Sequence, residues 1–133
     1  MPWDAKAPNL GFTTGQPWLP PGPAHKALAV SEQEGNPDSV LGFARHFLHL
    51  RRGLDAMRLG TIDFIDAEKP VLVFTRTLGD EKILCVFNMS AQDAGFRHAS
   101  VATGTALGLG CGNSLDEADT LHLGPYAARF AKL

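Results

Sequence analysis

Carboxylate groups are the first side chains in this sequence that could carry out chemistry. Two clusters of them are candidates for paired catalytic groups, Asp63 with Asp66 and Asp116 with Glu117 and Asp119. Both clusters lie beside predicted turns, where an Asp side chain accepts hydrogen bonds from the backbone of its own turn. The residue types needed for a Ser-His-Asp arrangement are present, but their spacing indicates no triad. We therefore expect solvated turn carboxylates and no catalytic residue in this chain.

Histidines and glycines offer two further possibilities for binding. His46 and His49 are three residues apart and could share a metal ion, but no Asp, Glu or Cys accompanies them on that helix face. The Gly-rich run from Gly104 to Gly112 could cradle a phosphate, but no helix follows it as a phosphate site requires. We expect a solvated helix face, a loop between strands, no metal and no cofactor.

Charge, cysteines and hydropathy limit the partners and the compartment. The net charge is −2 and the basic residues are scattered, which argues against a nucleic-acid partner. Cys85 and Cys111 could form one bridge, but no CxxC spacing demands it, and free thiols in a reducing cytosol are the favoured interpretation. No apolar run approaches a membrane span and no signal peptide is evident, so we expect a cytoplasmic protein without membrane contact.

The stretch from Val71 to Ser90 predicts the centre of the fold. Two apolar runs, Val71 to Phe74 and Ile83 to Phe87, flank a turn at Leu78-Gly79-Asp80, which indicates an antiparallel hairpin. Both runs are almost continuously apolar, so both faces of the hairpin should be buried. The further predicted strands are 61–65, 95–98, 100–102, 105–109, 120–123 and 127–133. The sequence therefore predicts a mainly β protein, an antiparallel, Greek-key-like β-sandwich.

One amphipathic helix is predicted before the sandwich. Asn36 is a plausible N-cap, with Pro37 in the first turn, and Gly53 can take the left-handed position that ends the helix. Apolar residues then follow helical spacing and form a wide stripe, which includes Val40, Phe43, Phe47 and Leu48. Gly42 inside the helix suggests that a neighbour approaches closely there. The division of the chain is a loop arm (1–35), the helix (36–57) and the sandwich (58–133).

The aromatic residues of the arm and those of the sandwich have different predicted roles. Those of the sandwich are predicted to be core residues rather than an exposed sugar-stacking surface: Phe64, Phe74, Phe87, Phe96, Tyr126 and Phe130. The arm holds six prolines within residues 1–23, so no long helix or central strand can run through it. It also holds Trp3, Phe12 and Trp18, which favour an ordered loop over a disordered one.

Several motifs resemble one known family along nearly the whole chain. Met1-Pro2-Trp3-Asp4, the run Ala7 to Gly15 and Pro17-Trp18-Leu19-Pro20 are similar to the segment after the last active-site strand of α-glucosidases. The similarity continues through Leu48 to Arg52, Leu84 to Ser90 and Leu123 to Ala128. These sequences resemble the oligo-1,6-glucosidase and exo-α-glucosidase branch of the α-amylase family, glycoside hydrolase family 13.

The resemblance implies a role for each part of the chain. The arm would follow the eighth barrel strand, the helix would be the last barrel helix, and the rest would be the C-terminal β-domain. Five arm residues match the motif one by one and would line the substrate loop: Trp3, Asp4, Asn9, Phe12 and Thr13.

The resemblance also implies what the chain lacks. The catalytic carboxylates of the family come from earlier barrel strands, and no pair in this chain matches those motifs. We expect a C-terminal fragment of an α-glucosidase that is inactive by itself, has a structural role beside the barrel and meets α-glucosides only within the full enzyme. The alternative is a free-standing carbohydrate-binding or protein-interaction module. Either way, the helix stripe could mediate self-association.

Overall fold

The computed structural model describes residues 1–108 and 111–133 in full, and residues 109 and 110 by their place in a strand alone. The chain divides into two compact units, Met1–Leu50 and Arg51–Leu133. The helices are α1 (Val30–Gln33), α2 (Val40–Gly53), α3 (Asp55–Leu59) and α4 (Ala99–Thr103). The strands are β1 (Thr61–Ile65), β2 (Val71–Leu78), β3 (Glu81–Asn88), β4 (Ala94–Arg97), β5 (Thr105–Leu115) and β6 (Thr120–Lys132).

All the strands of the described part pair antiparallel, in the order β1-β2-β3-β6-β4, with β5 also paired to β6. The first residues of β6 pair with β4, while its last residues pair with β3. Between these halves the β5 partner jumps from Leu123 to Ala128, so β6 bends and carries the sheet from one layer to the other. The two layers enclose one core, formed by Val73, Leu84, Val86, Phe96, Val101, Leu121, Leu123, Ala127 and Ala131. The predicted β-sandwich is confirmed.

The β2–β3 hairpin forms where the sequence predicts it. Leu78 pairs with Glu81, so Gly79 and Asp80 make a two-residue turn, and Gly79 has φ 56°. A positive φ at the first turn position suits glycine, which has no Cβ to clash. β3 is largely buried, but β2 alternates between buried and partly exposed residues. The prediction of burial on both faces therefore holds for β3 and is wrong for β2.

Helix α2 is shorter than the predicted helix of residues 36–57. It begins at Val40, because the hydroxyl of Ser39 accepts the N–H of Gly42 at 3.0 Å and so caps the helix. Asn36 instead accepts the N–H of Asp38 at 3.0 Å in a turn before the helix. The helix ends at Gly53, which does not have a positive φ, and α3 follows as a separate helix after the extended residue Leu54.

Gly42 is the position in α2 where the backbone packs too closely for a side chain. A Cβ there would lie 2.5 Å from the carbonyl oxygen of Asn36 and 2.8 Å from that of Pro37. Both atoms belong to the backbone and cannot move aside as a side chain could. The predicted close approach at Gly42 is confirmed.

Three further predictions about the sandwich are wrong. Residues 100–102 form part of α4, whose N-cap is His98, because the His98 ring nitrogen Nδ1 accepts the Ser100 N–H at 3.1 Å. The separate strands predicted for residues 120–123 and 127–133 are one strand, β6. Finally, Phe64 is 73% exposed and Tyr126 is 69% exposed, so neither is a core residue. Phe96 and Phe130 are buried as predicted, and Phe74 and Phe87 are half-buried.

Candidate functional site

The arm is ordered by a left-handed turn. Asn9, Leu10 and Gly11 have φ values of 51°, 55° and 67°. The carbonyl oxygen of Leu10 accepts two backbone N–H groups, from Trp3 at 2.8 Å and from Asp4 at 3.1 Å. Left-handed conformations cost a non-glycine residue about 1–3 kcal/mol, and such strain clusters at functional sites. The turn is therefore the first structural sign of a site in the arm.

Side-chain hydrogen bonds hold the rest of this turn. The Asn9 amide nitrogen donates to the carbonyl oxygens of Thr13 at 3.3 Å and Gly15 at 2.9 Å. The Thr13 hydroxyl accepts the N–H of Gly15 at 3.1 Å. Asn is among the few side chains that tolerate the left-handed region, which suits its position in the turn. Asn9 and Thr13 thus shape the loop through its own backbone.

The start of the arm is tied to the segment that opens α1. Backbone N–H groups of Val30 and Ser31 donate to the carbonyl oxygens of Pro2 at 3.1 Å and Trp3 at 3.0 Å. The Ser31 hydroxyl accepts the N–H of Ala5 at 3.0 Å. Ala5 itself is buried. These bonds fix the backbone of residues 2–5, while the side chain of Trp3 stays exposed.

A groove of about 320 Å³ opens on the surface of this unit. Its lining is mostly apolar and consists of Met1, Pro2, Asn9, Leu10, Phe12, Pro17, Trp18, Leu19, Pro20, Pro21 and His25. Trp18 is 95% exposed and Phe12 is 60% exposed. An apolar groove with exposed aromatic rings and two polar groups has the composition of a small-molecule site. We call it the arm groove.

The structure brings only some of the predicted site residues together. Asn9 and Phe12 line the arm groove, whereas Trp3, Asp4 and Thr13 lie outside its lining. Trp3 is nevertheless 53% exposed, and the Asp4 carboxylate accepts the N–H of Lys6 at 2.8 Å in a local turn.

The other nine lining residues were not among the predicted site residues, and Leu10, Trp18 and His25 are three of them. His25 accepts the N–H of Gly22 through Nδ1 at 3.0 Å, which fixes its ring at the groove. Trp18 lies in the motif Pro17-Trp18-Leu19-Pro20 and was identifiable as an unexplained aromatic. Leu10 lies within the run Ala7 to Gly15 but was not assigned to the substrate loop. For His25 the sequence carries no signal, because only the fold of the arm brings it to the groove.

No carboxylate lines the arm groove, so it holds no general acid or nucleophile of the glycosidase type. A carboxylate with three hydrogen-bond partners lies elsewhere, at the β5–β6 turn of the sandwich. There Asp116 accepts His122 Nε2 at 2.8 Å and the N–H groups of Ala118 and Thr120 at 2.9 Å each. These bonds, that from His122 most of all, hold the pKa of Asp116 below its usual value.

This turn resembles a triad but does not form one. Ser114 is the cross-strand partner of His122, yet no hydrogen bond joins the two side chains in the described structure. Asp116 is a solvated turn carboxylate, as predicted. Asp63, by contrast, lies within β1 rather than in a turn.

The thiols and histidines carry no reactive arrangement among the described residues. Cys85 is buried against Met57, with the two sulfur atoms 4.0 Å apart, and burial raises the pKa of its thiol to about 11. Cys111 is exposed and both cysteines are free, as predicted. His46 and His49 are exposed on α2, and no group of three metal-ligating side chains occurs in the described part of the chain.

Comparison with known proteins decides the family. Residues 62–130, more than half of the chain, match the family described as Maltogenic Amylase, C-terminal domain. The chain belongs to this family. The match begins in β1 and ends in β6, so it spans the sandwich.

Relatives extend this similarity over the arm and α2. The chain is 33% identical to the oligo-1,6-glucosidase of Parageobacillus thermoglucosidasius over its whole length, which is 24% of that protein. It is 42% identical to a probable α-glucosidase of Rhizobium meliloti over 71% of the chain and 17% of the relative. The chain thus spans about a quarter or less of these curated relatives. The predicted resemblance to the C-terminal part of family 13 α-glucosidases is confirmed.

Solved structures agree. The α-glucosyl transfer enzyme XgtA superposes on 99% of this chain with a TM-score of 0.83 and 36% identity, and the match covers 24% of that enzyme. An isomaltulose synthase of Erwinia rhapontici, solved with sucrose, superposes on 98% of the chain with a TM-score of 0.83 and 28% identity. No described helix is long and apolar enough to cross a membrane.

Proposed function

We propose that this chain is the C-terminal part of an α-glucoside-hydrolysing enzyme and that its main role is structural. The observation that carries the proposal is the 33% identity to an oligo-1,6-glucosidase across the entire chain, which covers only 24% of that enzyme. An isolated interaction module would be expected to match over the sandwich alone. The similarity instead includes the arm and α2, which implies that these segments keep the surroundings they have in the relatives.

The arm contributes a loop to the sugar-binding region of that enzyme. Trp3, Asp4, Asn9, Phe12 and Thr13 are the residues we assign to this loop. Support comes from the strained turn at Asn9 and Leu10, from the exposure of Trp3 and Phe12, and from the placement of Asn9 and Phe12 at the arm groove. Exposed aromatic rings suit the apolar faces of sugars. The amide nitrogen of Asn9 donates to the loop backbone, so the role of Asn9 is to shape the loop.

The chain alone does not hydrolyse glycosides. A retaining glycosidase needs two carboxyl groups about 5 Å apart across the scissile bond. The arm groove has none in its lining. Incubation of the purified chain with p-nitrophenyl α-glucoside should therefore release nitrophenol no faster than buffer, and turnover proportional to chain concentration would refute this part of the proposal.

The structural role needs a test of its own. In the Parageobacillus thermoglucosidasius oligo-1,6-glucosidase, the segment aligned with this chain can be replaced by the chain itself. This chimera should fold and hydrolyse isomaltose, because the catalytic groups come from the relative and the C-terminal part from this chain. A folded chimera without activity would contradict the proposed function.

A second candidate function is a free-standing carbohydrate-binding module, which the two exposed aromatics of the arm groove favour. Calorimetric titration of the purified chain with maltose and isomaltose separates the two. Saturable binding abolished by Trp18→Ala would support the module. Absence of binding by the chain, together with an active chimera, supports the structural role.

The exposed stripe of α2 is the surface through which the isolated chain would self-associate. Val40 is 76% exposed, Phe43 51% and Leu48 54%, and the rings of Phe43 and Phe47 stack at 6.3 Å. Light scattering should show dimers or larger species that Phe43→Ser reduces. The free thiols at Cys85 and Cys111 are consistent with a cytoplasmic location.

A further inference from the structure

The outward side of the β1–β2–β3 layer carries apolar side chains that remain exposed. Alternation along the strands places Ile62 and Phe64 of β1 on the same side as Leu72 and Phe74 of β2. Phe64 lies directly opposite Phe74. Phe64 is 73% exposed, Ile62 48% and Leu72 36%. We call these four residues the outer apolar face.

Helix α3 covers the neighbouring part of the same side. Its Ala56 and Met57 are buried, and Met57 lies against Cys85 of β3. The carbonyl oxygen of Ala56 accepts Arg76 Nε at 3.2 Å, while its N–H donates to the Glu81 carboxylate at 2.6 Å. The helix has five residues and is therefore only about 7.5 Å long. It is too short to cover β1 as well, so the outer apolar face stays open beside it.

The exposed residues continue a row of aromatic rings that crosses the strands. The Phe64 ring meets Phe74 edge to face at 6.0 Å, and Phe74 stacks on Phe87 at 5.8 Å. Single exposed apolar residues are ordinary on protein surfaces, but a contiguous apolar patch marks an interaction site. The row thus leads from the half-buried part of the sheet to a side chain that contacts mostly solvent.

We propose that the outer apolar face is a docking surface for the polypeptide that forms the other three-quarters of the relatives. Solved structures align with 98–99% of this chain, and the match covers only 24% of each of them, so they are about four times as long as the aligned part. Obligate interfaces resemble a protein core cut in half and expose apolar side chains when one half is absent. This inference rests on the proposed function and adds to it the surface through which the sandwich is held.

The chimera described above tests the surface by comparison with the isolated chain. In the isolated chain Phe64→Ser removes a mostly exposed ring, so the melting temperature should hardly change. In the chimera the same ring would be covered by the catalytic part, and Phe64→Ser should lower the melting temperature by roughly 3 °C or more. Hydroxyl-radical oxidation of Phe64 should fall several-fold between the isolated chain and the chimera.

Leu72→Ser and Leu115→Ser form a matched pair of controls, because Leu72 is 36% and Leu115 38% exposed on different parts of the sheet. The two substitutions should lower the melting temperature of the isolated chain by similar amounts, and only Leu72→Ser should lower it further in the chimera.

An active chimera that tolerates Phe64→Ser, with Phe64 oxidised as in the isolated chain, would overturn the docking surface and leave the proposed function intact. A chimera that folds without activity contradicts the proposed function. The melting temperatures of this chimera with and without Phe64→Ser still test whether the outer apolar face is covered. A chimera that does not fold contradicts both. Dimers of the isolated chain that Phe64→Ser dissociates would assign the face to a second copy and overturn the proposal.

Discussion

Asn88 is the buried polar residue that joins the end of β3 to the bend in β6. It is 2% exposed. Its amide nitrogen donates to the carbonyl oxygens of Gln92 at 2.6 Å, Gly124 at 2.8 Å and Leu123 at 3.3 Å. Its carbonyl oxygen accepts the N–H and the hydroxyl of Ser90, each at 3.0 Å. One side chain thus satisfies backbone groups from two segments, residues 90–92 after β3 and residues 123–124 of β6.

Asn88→Ala should destabilise the sandwich by about 3 kcal/mol. The substitution removes the Asn88 partner from the buried carbonyl oxygen of Leu123, from two part-buried carbonyl oxygens and from one N–H, and each such loss costs about 1–3 kcal/mol unless water enters. Total stabilities of single domains are about 5–15 kcal/mol, so the loss would be a large share.

Asn88→Asp keeps the shape of the side chain and separates hydrogen bonding from packing. The introduced carboxylate cannot donate and would face carbonyl oxygens, so at pH 7 this variant should be at least as unstable as Asn88→Ala. Because protonation restores a donor, its deficit relative to the wild type should shrink at low pH.

Urea denaturation followed by far-UV circular dichroism is the appropriate assay. Both tryptophans, Trp3 and Trp18, lie in the arm, so tryptophan fluorescence would report the wrong unit. A fall in the denaturation midpoint with an unchanged m-value is expected. A free energy of unfolding for Asn88→Ala within about 0.5 kcal/mol of the wild-type value would refute the role of Asn88 in joining these segments.

Three further predictions concern other parts of the chain. Gly42→Ala should lower the melting temperature although alanine favours helices by about 1 kcal/mol, because its Cβ would lie 2.5 Å from the Asn36 carbonyl oxygen; a more stable variant in a thermal melt would contradict this close approach. The pKa of Asp116 is lowered in the folded state, so its ionised carboxylate stabilises the fold at neutral pH, and this stabilisation is lost as pH falls below about 4 through the folded pKa. The free energy of unfolding of the wild type should therefore lose its advantage over that of Asp116→Asn across this range. Parallel profiles of unfolding free energy against pH for the two proteins would count against the turn bonds. At pH 8 maleimide should label Cys111 and spare Cys85, because Cys85 is buried and its pKa is raised to about 11. Mass spectrometry of tryptic peptides should therefore find one modified cysteine. Rapid labelling of Cys85 in the folded chain would show that it is not buried.

The parts of the fold that sequence predicts are those fixed by local chemistry. Gly79 and Asp80 between two apolar runs specify the β2–β3 hairpin, and the structure has it. The small Gly42 inside an apolar stripe correctly indicates a close backbone approach. In both cases a glycine is needed for a reason that acts within a few residues. Such glycines therefore predict local structure without knowledge of tertiary contacts.

The errors arise where distant packing overrides local preference. Pro125 suggests a break between two strands, yet β6 continues because its ladder to β5 skips from Leu123 to Ala128 and needs no N–H from the proline. Residues 100–102 look like a strand, but capping by His98 and burial of Val101 favour a helix. Phe64 looks like a core residue because the length of α3, which decides its cover, could not be foreseen.

The candidate site shows the same division. Resemblance identifies Asn9 and Phe12, and the structure places both at the arm groove. The left-handed conformation of Leu10 is not encoded by its own residue type, since branched aliphatic side chains avoid it. It follows from two N–H groups that converge on one carbonyl oxygen, and a linear motif does not report that geometry.

The central claim is that this chain supplies the C-terminal part of a glucosidase whose catalytic carboxylates lie elsewhere in the polypeptide. The most direct measurement is the rate of isomaltose hydrolysis by the Parageobacillus thermoglucosidasius enzyme whose aligned segment is replaced by this chain. Hydrolysis by the folded chimera, with none by the isolated chain, is the predicted result. A folded but inactive chimera, or hydrolysis by the isolated chain, would contradict the claim.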